Sequence, residues 1–587
     1  MNIIYIITII IVYVLSILIK KSENKINIFS QIILNGVLYT CYNMLVCLIL
    51  TYCNIPITMI SLVIINLFII VIEIYKIVKD KAIQKFYIDK KDIIFTIILL
   101  VTIVLIANKQ YGKLDNIKYY TTDAREHYNV SVEFYKSQTL LIKTDNYQGF
   151  MPFTYSNEGI IYKALAPIIG EFDLYKIFIF SDLVITSTAM LGFYLLVKDK
   201  NISWMKFIIM CIASVIFVLG YPLNSMLTGF HYLQVGVNLI LFAVYIMKID
   251  NIDKNWKRIY MLLINIGIIF AYNLFAPFIY LAEFVYLIYK QYKITNKKLS
   301  KEIITNVVIE LIIPGILGIT YFILPKFISS QNVFDGIDGD GYIYRNMWSA
   351  FILFLPFTIY YFIRRIKNKK LEFQDIFAIC TIIYAIILFV LYKTDKISSY
   401  YYCKIYYVIW PIIIYISTLG LLEFYGSNKI KKVFSIICVI GYVTIMIYSI
   451  ITYKYVFRLD YQLKDYEDLL TVMGIFNVNR TLLEMPSLIS SNELDCLKYV
   501  KENIDQSYTL VLVIPRQDEW RKTMTPKCHN IDFNKVTEEI EKWNNGEYTY
   551  IVILKNRHTY KTKGQAIKYE NAQMIYSNSE TEIWKKN

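Results

Sequence analysis

The sequence predicts a polytopic α-helical membrane protein of about fourteen spans, followed by a small extracytoplasmic C-terminal α/β domain. Of its 587 residues, 56% are hydrophobic and only 18% are charged, whereas soluble globular proteins carry about 25% charged residues. Apolar runs near twenty residues recur through the first 452 positions, and about twenty helical residues span a hydrocarbon core of roughly 30 Å. We therefore assign residues 1–452 to the membrane and residues 453–587 to the separate domain.

The first predicted span is a retained helix, because residues 2–19 lack both a basic n-region and a small-residue cleavage site. The apolar runs place the spans at roughly residues 2–19, 28–53, 57–74, 93–108, 175–197, 207–221, 231–247, 259–272, 278–289, 303–323, 347–363, 376–392, 405–424 and 433–452.

The distribution of basic residues predicts which loops are cytoplasmic. One set of alternate loops holds 29 Lys and Arg in 78 residues, and these loops are 20–27, 75–92, 198–206, 248–258, 290–301, 364–375 and 425–432. The other set holds 12 in 118 residues. Basic residues favour the cytoplasmic side during insertion. We therefore expect the first set to lie inside, and the N-terminus and residues 453–587 to lie outside the cell membrane.

The eighth and ninth spans are the least certain pair in this topology. They are separated only by Asn273-Leu274-Phe275-Ala276-Pro277, where the proline can interrupt a helix. One long kinked helix would instead reverse every later loop. The charge asymmetry persists on both sides of the break, which favours two spans.

The net charge of +15 does not indicate a nucleic-acid partner. Residues 453–587 hold 19 Lys and Arg and 19 Asp and Glu, so the excess of positive charge lies in the membrane part. No soluble segment shows the basic stripe with interleaved aromatic residues that is typical of nucleic-acid binding.

The strongest candidate site opens a 66-residue outer loop, residues 109–174. Long connections in compact proteins are usually functional or disordered, and this loop has no low-complexity run. If a helix begins at Asp123, its spacing places Asp123, His127, Val130 and Phe134 on one face. A carboxylate and an imidazole four residues apart can position a general base or share a metal. The alternative is a solvated interfacial helix on which Asp123 is an ordinary cap.

The same loop contains a second candidate acid. Glu158 precedes the apolar segment Ile160–Gly170, which is too short to span a bilayer and predicts an interfacial or re-entrant helix. Glu158 is either a capping carboxylate or a second acid near Asp123.

Later outer loops supply candidate cations. Asp335-Gly336-Ile337-Asp338-Gly339-Asp340-Gly341 lacks the glutamate of an EF-hand, so a flexible turn is favoured over a divalent-cation site. Arg345 can clamp a phosphate with two hydrogen bonds. Lys396 and Lys404 flank Tyr400-Tyr401-Tyr402, and their alternative interpretation is an aromatic belt with snorkelling lysines.

Inside the membrane, the acids well away from helix ends are Asp182, Glu283 and Glu310. Transporters typically pair intramembrane charges near the midplane, and these three are far apart in the sequence. His231 begins the seventh span at the outer side, where a belt residue is more common than a ligand. No P-loop occurs in the predicted cytoplasmic loops. The sequence therefore lacks the usual ATP-binding motif of an ATP-driven protein.

The tail alternates predicted helices and strands. Ser491–Asn503 is a predicted helix with Ser491 as its N-cap, and Thr509–Ile514 and Tyr548–Leu554 are predicted buried strands. Ala572–Tyr576 and Thr581–Trp584 predict a terminal hairpin. Cys496 and Cys528 are the two tail cysteines, and an extracytoplasmic location would permit a disulfide between them.

These features together resemble the GT-C superfamily of membrane glycosyltransferases, which includes protein O-mannosyltransferases, oligosaccharyltransferases and aminoarabinose transferases. The resemblance covers most of the chain in architecture and, in motif, rests on Asp123-Ala124-Arg125-Glu126-His127. The O-mannosyltransferases carry an Asp-Glu-x-His run at the corresponding place. This sequence departs from it, with Ala124 second and Glu126 just before the histidine, which leaves the role of Glu126 open. Three additional spans also precede the large loop.

The resemblance implies an inverting transfer of a sugar from a polyprenyl-phosphate donor to a glycan, lipid or protein acceptor at the outer membrane face. Asp123 would be the base that takes the acceptor proton. His127 would orient it or contact the acceptor, and Glu158 would be a second acid or bind sugar hydroxyls. Cations would stabilise the departing phosphate, and the candidates are Arg345, Lys396 and Lys404, with Arg125 behind them. Neither the family nor the sequence demands a metal, although a divalent cation is compatible.

Three other kinds of protein remain open at this point. A lipid-linked polysaccharide polymerase or ligase would use outer-loop arginines without an aspartate at the loop start. A flippase or transporter would need a solvated central cavity lined by charge, and a non-catalytic membrane scaffold would use its tail to bind partners.

Overall fold

Apolar segments of this chain fold as helices, because a helix satisfies all its own backbone hydrogen bonds where no water is available. The computed structural model describes all residues except 122, 144–147, 151–153, 200–201, 251, 296–299, 329–350, 369–370, 427, 453–473, 513–514 and 530–534. Among the described residues, ten helices are long and apolar enough to cross a membrane. The other predicted spans also contain helices, but these are shorter or carry charged ends.

Four helices precede the large outer loop, as the sequence predicts. Two-residue strands next to α2 and α4 pair in parallel. The bounds in this part are α1 Asn2–Leu18, β1 Ile26–Asn27, α2 Ile28–Tyr52, α3 Met59–Asp80, β2 Phe86–Tyr87 and α4 Lys90–Tyr111.

The long loop of residues 109–174 folds into two helices joined by an antiparallel strand pair. Its elements are α5 Asp123–Ser137, β3 Leu141–Lys143, β4 Gln148–Phe150 and α6 Thr154–Ile169. The two helices pack so closely that a Cβ atom on Gly159 would lie 2.1 Å from the Phe134 ring. The loop is therefore a folded layer on the membrane helices.

The remaining membrane helices follow the predicted spans. Their bounds are α7 Leu174–Val197, α8 Trp204–Leu219, α9 Tyr221–Thr228, α10 His231–Lys248, α11 Lys254–Ala271, α12 Ala276–Thr295, α13 Lys301–Asn306, α14 Ile313–Ile328, α15 Leu355–Lys367, α16 Phe373–Lys393, α17 Ser399–Lys404, α18 Tyr406–Tyr425 and α19 Lys429–Thr452. Between α13 and α14 the chain forms a π-helical turn, Val307–Ile312.

The break between α11 and α12 confirms two antiparallel helices. The short 3-10 turn Asn273–Phe275 separates them. The Tyr280 hydroxyl of α12 donates to the main-chain oxygen of Asn265 in α11, at 2.9 Å. One continuous helix would separate these residues by about 22 Å, so the chain turns back at the break.

Burial separates central helices from peripheral ones. In the span Ser399–Tyr425, 94% of the apolar window is buried inside the protein, and α10 reaches 83%. The corresponding share is 22% for α3, α4 and α19. Helices α10 and α18 therefore lie at the centre of the bundle, and α3, α4 and α19 expose apolar side chains that suit lipid contact.

The tail contains a four-stranded sheet in the order β5-β6-β8-β7. Strands β5 and β6 are parallel, and the terminal hairpin is antiparallel as predicted. The tail elements are α20 Gly474–Glu484, α21 Ser491–Asn503, β5 Thr509–Leu512, α22 Pro515–Met524, α23 Val536–Asn544, β6 Tyr550–Leu554, α24 His558–Lys563, β7 Ala572–Ser577 and β8 Thr581–Lys586.

Two details of the tail differ from the sequence analysis. The N-cap of α21 is Ser490 instead of Ser491, because Ser490 and Glu493 form a reciprocal capping box. Cys496 and Cys528 are both buried and free, so the disulfide that the sequence left open is absent.

The two predicted sets of loops meet at opposite ends of the bundle. At the less basic end, Tyr120 N donates to Leu227 O at 3.0 Å, and the Tyr272 and Tyr400 hydroxyls lie 3.3 Å apart. At the basic end, a cavity of about 1380 Å³ is lined by side chains that include Lys25, Lys198, Lys206, Lys248 and Arg365. The alternation of the loops is therefore consistent with the predicted spans.

Candidate active site

The N-terminus of α5 is fixed against the turn between α9 and α10. Thr121 donates a hydrogen bond to the main-chain oxygen of Thr228, and its hydroxyl accepts one from Asp123 N at 3.2 Å. Gly229 has a φ of +80°, and a Cβ there would lie 2.5 Å from the Cβ of Ala124. The small residues at 124 and 229 therefore let the start of α5 approach the membrane helices closely.

The helix begins at Asp123 as the sequence predicts, but its buried face is rotated slightly from the predicted one. The buried residues are Ala124, His127, Tyr128, Ser131, Val132 and Phe134. Val130 is only partly buried, and Asp123 lies at the edge of the face. Asp123 is thus half-buried, in contact with both the interior and the outer surface.

A cation and several tyrosines surround Asp123. Lys404 of α17 is buried, with its ammonium 3.1 Å from the ring centroid of Phe230 and 5.0 Å from that of Tyr400. Its positive charge acts on the Asp123 carboxyl, and burial lowers the pKa of Lys404 to about 7 although the charge of Asp123 opposes the fall. Residues 281 positions apart are brought together here, which the sequence alone does not reveal.

Three influences set the proton affinity of Asp123. Burial raises the pKa of its carboxyl, the positive charge of Lys404 opposes the rise, and the negative charge of Glu126 adds to it. A carboxylate with a raised pKa holds a proton more tightly than an exposed one, which suits a general base.

His127 lies one turn further along α5, buried edge-on against the ring of Tyr232, with centroids 4.4 Å apart. Burial lowers the pKa of His127 well below its ordinary value, and the positive charges of His231 and Lys404 lower it further. The imidazole is therefore neutral at physiological pH. It can orient a neighbour by hydrogen bonding but cannot supply a positive charge.

Glu158 and His231 belong to a closed network behind His127. The His231 ring contacts Glu158 through Nε2 and Asp182 through Nδ1, the latter at 2.5 Å. Ser131 of α5 donates to Glu158 at 2.7 Å, and Tyr119 donates to Asp182 at 2.6 Å. This network, which joins α5 and α6 to α7 and α10, is 6% exposed or less at every member.

Trp520 of the tail packs against α5. Its ring stacks on Tyr119 at a centroid distance of 5.9 Å and on Tyr128 at 5.5 Å. It also meets Phe178 of α7 edge-on. The tail therefore helps to hold α5 in place.

The other predicted site residues are more dispersed. Arg125 pairs with the exposed Glu126 at 3.0 Å, and Lys396 lies exposed on the turn after α16. Arg345 and the Asp335–Gly341 segment lie outside the described residues. Among the described side chains, no group of three His, Cys, Asp or Glu residues could hold a metal ion.

Sequence reasoning missed Asp182, Tyr119 and Trp520 as parts of this site. Asp182 was visible as an intramembrane acid, and its partner His231 as an outer histidine, but nothing linked them. Tyr119 and Trp520 carry no sequence signal, because each acts through a stacking partner that only the folded chain supplies.

Comparisons with known proteins give structural likeness only. No protein-family model and no curated protein matches the chain. The chain is similar to ArnT from Cupriavidus metallidurans bound to undecaprenyl phosphate, with 12% identity and a TM-score of 0.43 over 84% of this chain and 97% of that one. It is also similar to the Archaeoglobus fulgidus oligosaccharyltransferase in the apo form, with 11% identity and a TM-score of 0.41 over 84% of this chain and 74% of that one.

At these identities and TM-scores, the structural likeness carries no argument about the superfamily or the reaction. The function is therefore argued below from this chain's own residues.

Proposed function

We propose that this protein is a membrane glycosyltransferase that moves a sugar from a polyprenyl-phosphate donor to an acceptor at the outer face of the cell membrane, with inversion. The observation that carries the proposal is that Lys404 lies close enough to Asp123 for their charges to act on each other. A half-buried carboxylate of raised pKa and a buried lysine, which is an ammonium ion below its pKa of about 7, act on each other at one end of the bundle. These are the two charges that an acid–base transfer from a phosphate leaving group requires.

The reaction follows from these two charges. The acceptor hydroxyl attacks the anomeric carbon from the face opposite the phosphate, and Asp123 takes its proton. The new bond to carbon forms as the carbon–oxygen bond to the phosphate breaks. The electron pair leaves on polyprenyl phosphate, where Lys404 stabilises the developing negative charge.

The surrounding residues position the groups that react in this step. His127, neutral and packed against Tyr232, borders the carboxyl on α5. Glu158 acts through the buried network that holds α5, α6 and α10 together. Arg345 and Lys396 are further candidates for contact with the lipid phosphate. No metal ion takes part in this scheme.

A lipid-linked donor would reach the place where Asp123 and Lys404 lie. A polyprenyl chain dissolves in the hydrocarbon layer, so its phosphate and sugar arrive at the interface. The start of α5 and the end of α17 meet there under the proposed topology, in which the N-terminus and residues 453–587 are extracytoplasmic. The acceptor, a glycan, lipid or protein, approaches from the aqueous side.

Separate measurements of lipid binding and sugar transfer test the proposal. The full chain in lipid nanodiscs is offered undecaprenyl phosphate alone, and then a panel of undecaprenyl-phosphate sugars, with release of the lipid phosphate followed by mass spectrometry. Asp123→Asn should retain binding and lose transfer by about 10²–10⁴-fold, the usual contribution of a general base. Lys404→Met should weaken binding of the lipid phosphate about tenfold or more, because it removes a charge-assisted contact.

Matched controls exist on the same elements. Glu133→Gln lies on the exposed side of α5, and Lys393→Met removes an exposed lysine at the end of α16. Both variants should bind and transfer as the unaltered protein does. Transfer at the normal rate by Asp123→Asn would overturn the assignment of the base.

A further inference from the structure

A second polar cluster lies inside the membrane bundle, outside the site described above. It consists of Asn265 of α11, Glu283 of α12 and Glu310 of the π-helical turn. Their exposed fractions are 0%, 0% and 3%. Asn265 is six residues from Ile259, where the predicted span begins, and so lies about 9 Å into a hydrocarbon layer of roughly 30 Å. Intramembrane acids at this depth are costly and commonly functional.

The hydrogen bonds of the cluster are directed by Asn265. Its Nδ2 donates to Glu283 Oε2 at 2.7 Å and to the main-chain oxygen of Glu310 at 2.8 Å. These two bonds use both amide hydrogens. Asn265 Oδ1 and Glu283 Oε1 are buried without a hydrogen-bond partner among the described residues. Two acceptor oxygens therefore remain in the cluster for a hydrogen or a cation.

The two acidic residues are neighbours, because Asn265 Nδ2 bonds to the Glu283 carboxyl and to the main-chain oxygen of Glu310, and their carboxyl groups act on each other's charge. Ionised carboxylates are acceptors only, so a hydrogen bond between them requires that one holds a proton. Two adjacent carboxylates in a closed, lipid-embedded bundle also repel each other strongly.

Neighbouring charges decide which carboxyl ionises. Lys257 and Arg258 of α11 and Lys290 of α12 act on Glu310, and Tyr280 of α12 borders Glu283. Those three cations stabilise a negative charge on Glu310. The two carboxyl groups therefore have different charged neighbours.

The backbone at Glu310 is unusual in the same place. Val307–Ile312 forms a π-helical turn, and such turns are frequent at functional sites. The main-chain carbonyl of Glu310 accepts a hydrogen bond from the Asn265 side chain, which lies on another helix. The cluster is thus built on three elements, α11, α12 and the turn before α14.

We propose that Glu283 and Glu310 form an intramembrane proton-binding site, in which the two carboxyl groups share one proton and Asn265 orients Glu283. No covalent bond other than that to the proton changes. Loss of the proton would leave two negative charges inside the bundle, so α11, α12 and α14 would have to separate and admit water or a cation. Proton occupancy is therefore linked to the packing of these helices.

Infrared spectroscopy of the purified full chain tests the site directly. The difference spectrum between the unaltered protein and Glu283→Gln should contain the carbonyl stretch of a protonated carboxylic acid at neutral pH, shifted in deuterium oxide. Glutamine keeps the shape of the protonated acid, so Glu283→Gln should fold and keep the thermal unfolding temperature. Glu310→Gln should retain the acid band of Glu283 and shift its position, because the bond partner changes.

Glu73→Gln is a matched control, since Glu73 is another buried acid, on α3. It should leave the Glu283 band unchanged. Absence of a protonated-acid band from the difference spectrum at neutral pH would overturn the proposal. Loss of that band on addition of sodium or calcium ions would also overturn it, and would identify the cluster as a metal-cation site.

Discussion

At the scale of single residues, the chemistry of the proposed site depends on two charges that act in opposite directions on Asp123. Lys404 lowers the pKa of this carboxyl and Glu126 raises it, while burial sets the overall upward direction. His127 takes no part in this balance as a cation, because its own pKa lies well below the ordinary value.

The pH dependence of transfer should report these charges. Asp123 must be ionised to accept a proton, so kcat/KM should fall as pH decreases through its raised pKa. Glu126→Gln removes a negative neighbour and should move this acid limb to lower pH. Lys404→Met removes a positive neighbour and should move it to higher pH.

Profiles of kcat/KM against pH for both variants check these directions, with Glu133→Gln as the control that leaves the limb in place. Two unchanged profiles would mean that another group is the base.

At the scale of elements, α5 is held by three separate contacts. The Gly229 turn packs against its first residues, Ser131 bonds to Glu158 of α6, and Trp520 stacks on Tyr128. The site geometry therefore depends on elements that are distant in the sequence.

The contact with the tail gives a prediction about Trp520. Trp520→Ala removes the ring between Tyr119 and Tyr128 and should increase hydrogen exchange of the α5 amides. The loss of packing should be about 3–5 kcal/mol, as for other buried Trp truncations. Transfer should fall through a lower kcat.

Trp543→Ala is the matched control, because Trp543 is fully buried in the tail's own core. This variant should destabilise the tail without a specific rise in α5 exchange. Equal effects of both substitutions on α5 would argue against a direct clamp.

The close approach at Gly229 gives a second prediction for this element. Gly229→Ala and Gly170→Ala share a positive φ, of +80° and +87°, so both carry the backbone cost of a left-handed alanine, about 1–2 kcal/mol. A Cβ at 229 would also lie 2.5 Å from Ala124, whereas a Cβ at 170 meets nothing within 4 Å.

Gly229→Ala should therefore lose transfer strongly, while Gly170→Ala should retain most of it at a slightly lower unfolding temperature. Transfer rates and thermal unfolding of the two variants measure this difference. Similar rates for both would show that the contact with α5 is not needed.

The elements themselves were largely predictable from sequence, since they follow from local patterns. Apolar runs predicted the membrane helices, the proline at 277 marked the break between α11 and α12, and the start of α5 was predicted at Asp123. The contacts of the site were not predictable. Asp182 meets His231 across 49 positions, and Trp520 meets Tyr119 across 401, so only the packing of the whole chain joins them.

At the scale of the whole molecule, the bundle has two chemically different ends. One end combines Asp123, Lys404 and the tail, and the other opens into a cavity of about 1380 Å³ with five basic side chains at its walls. Five acidic side chains line the same cavity, namely Asp89, Asp199, Asp250, Glu372 and Glu423. The cavity is therefore close to neutral, and its charges give no preference for a phosphate.

The most direct test of the proposed function is an experimental structure of the full chain with sugar-free undecaprenyl phosphate. We predict that the phosphate lies within hydrogen-bonding distance of Lys404 Nζ, with the position of the sugar open toward Asp123. A phosphate bound instead in the opposite cavity, beside Lys198, Lys248 or Arg365, would contradict the proposed site.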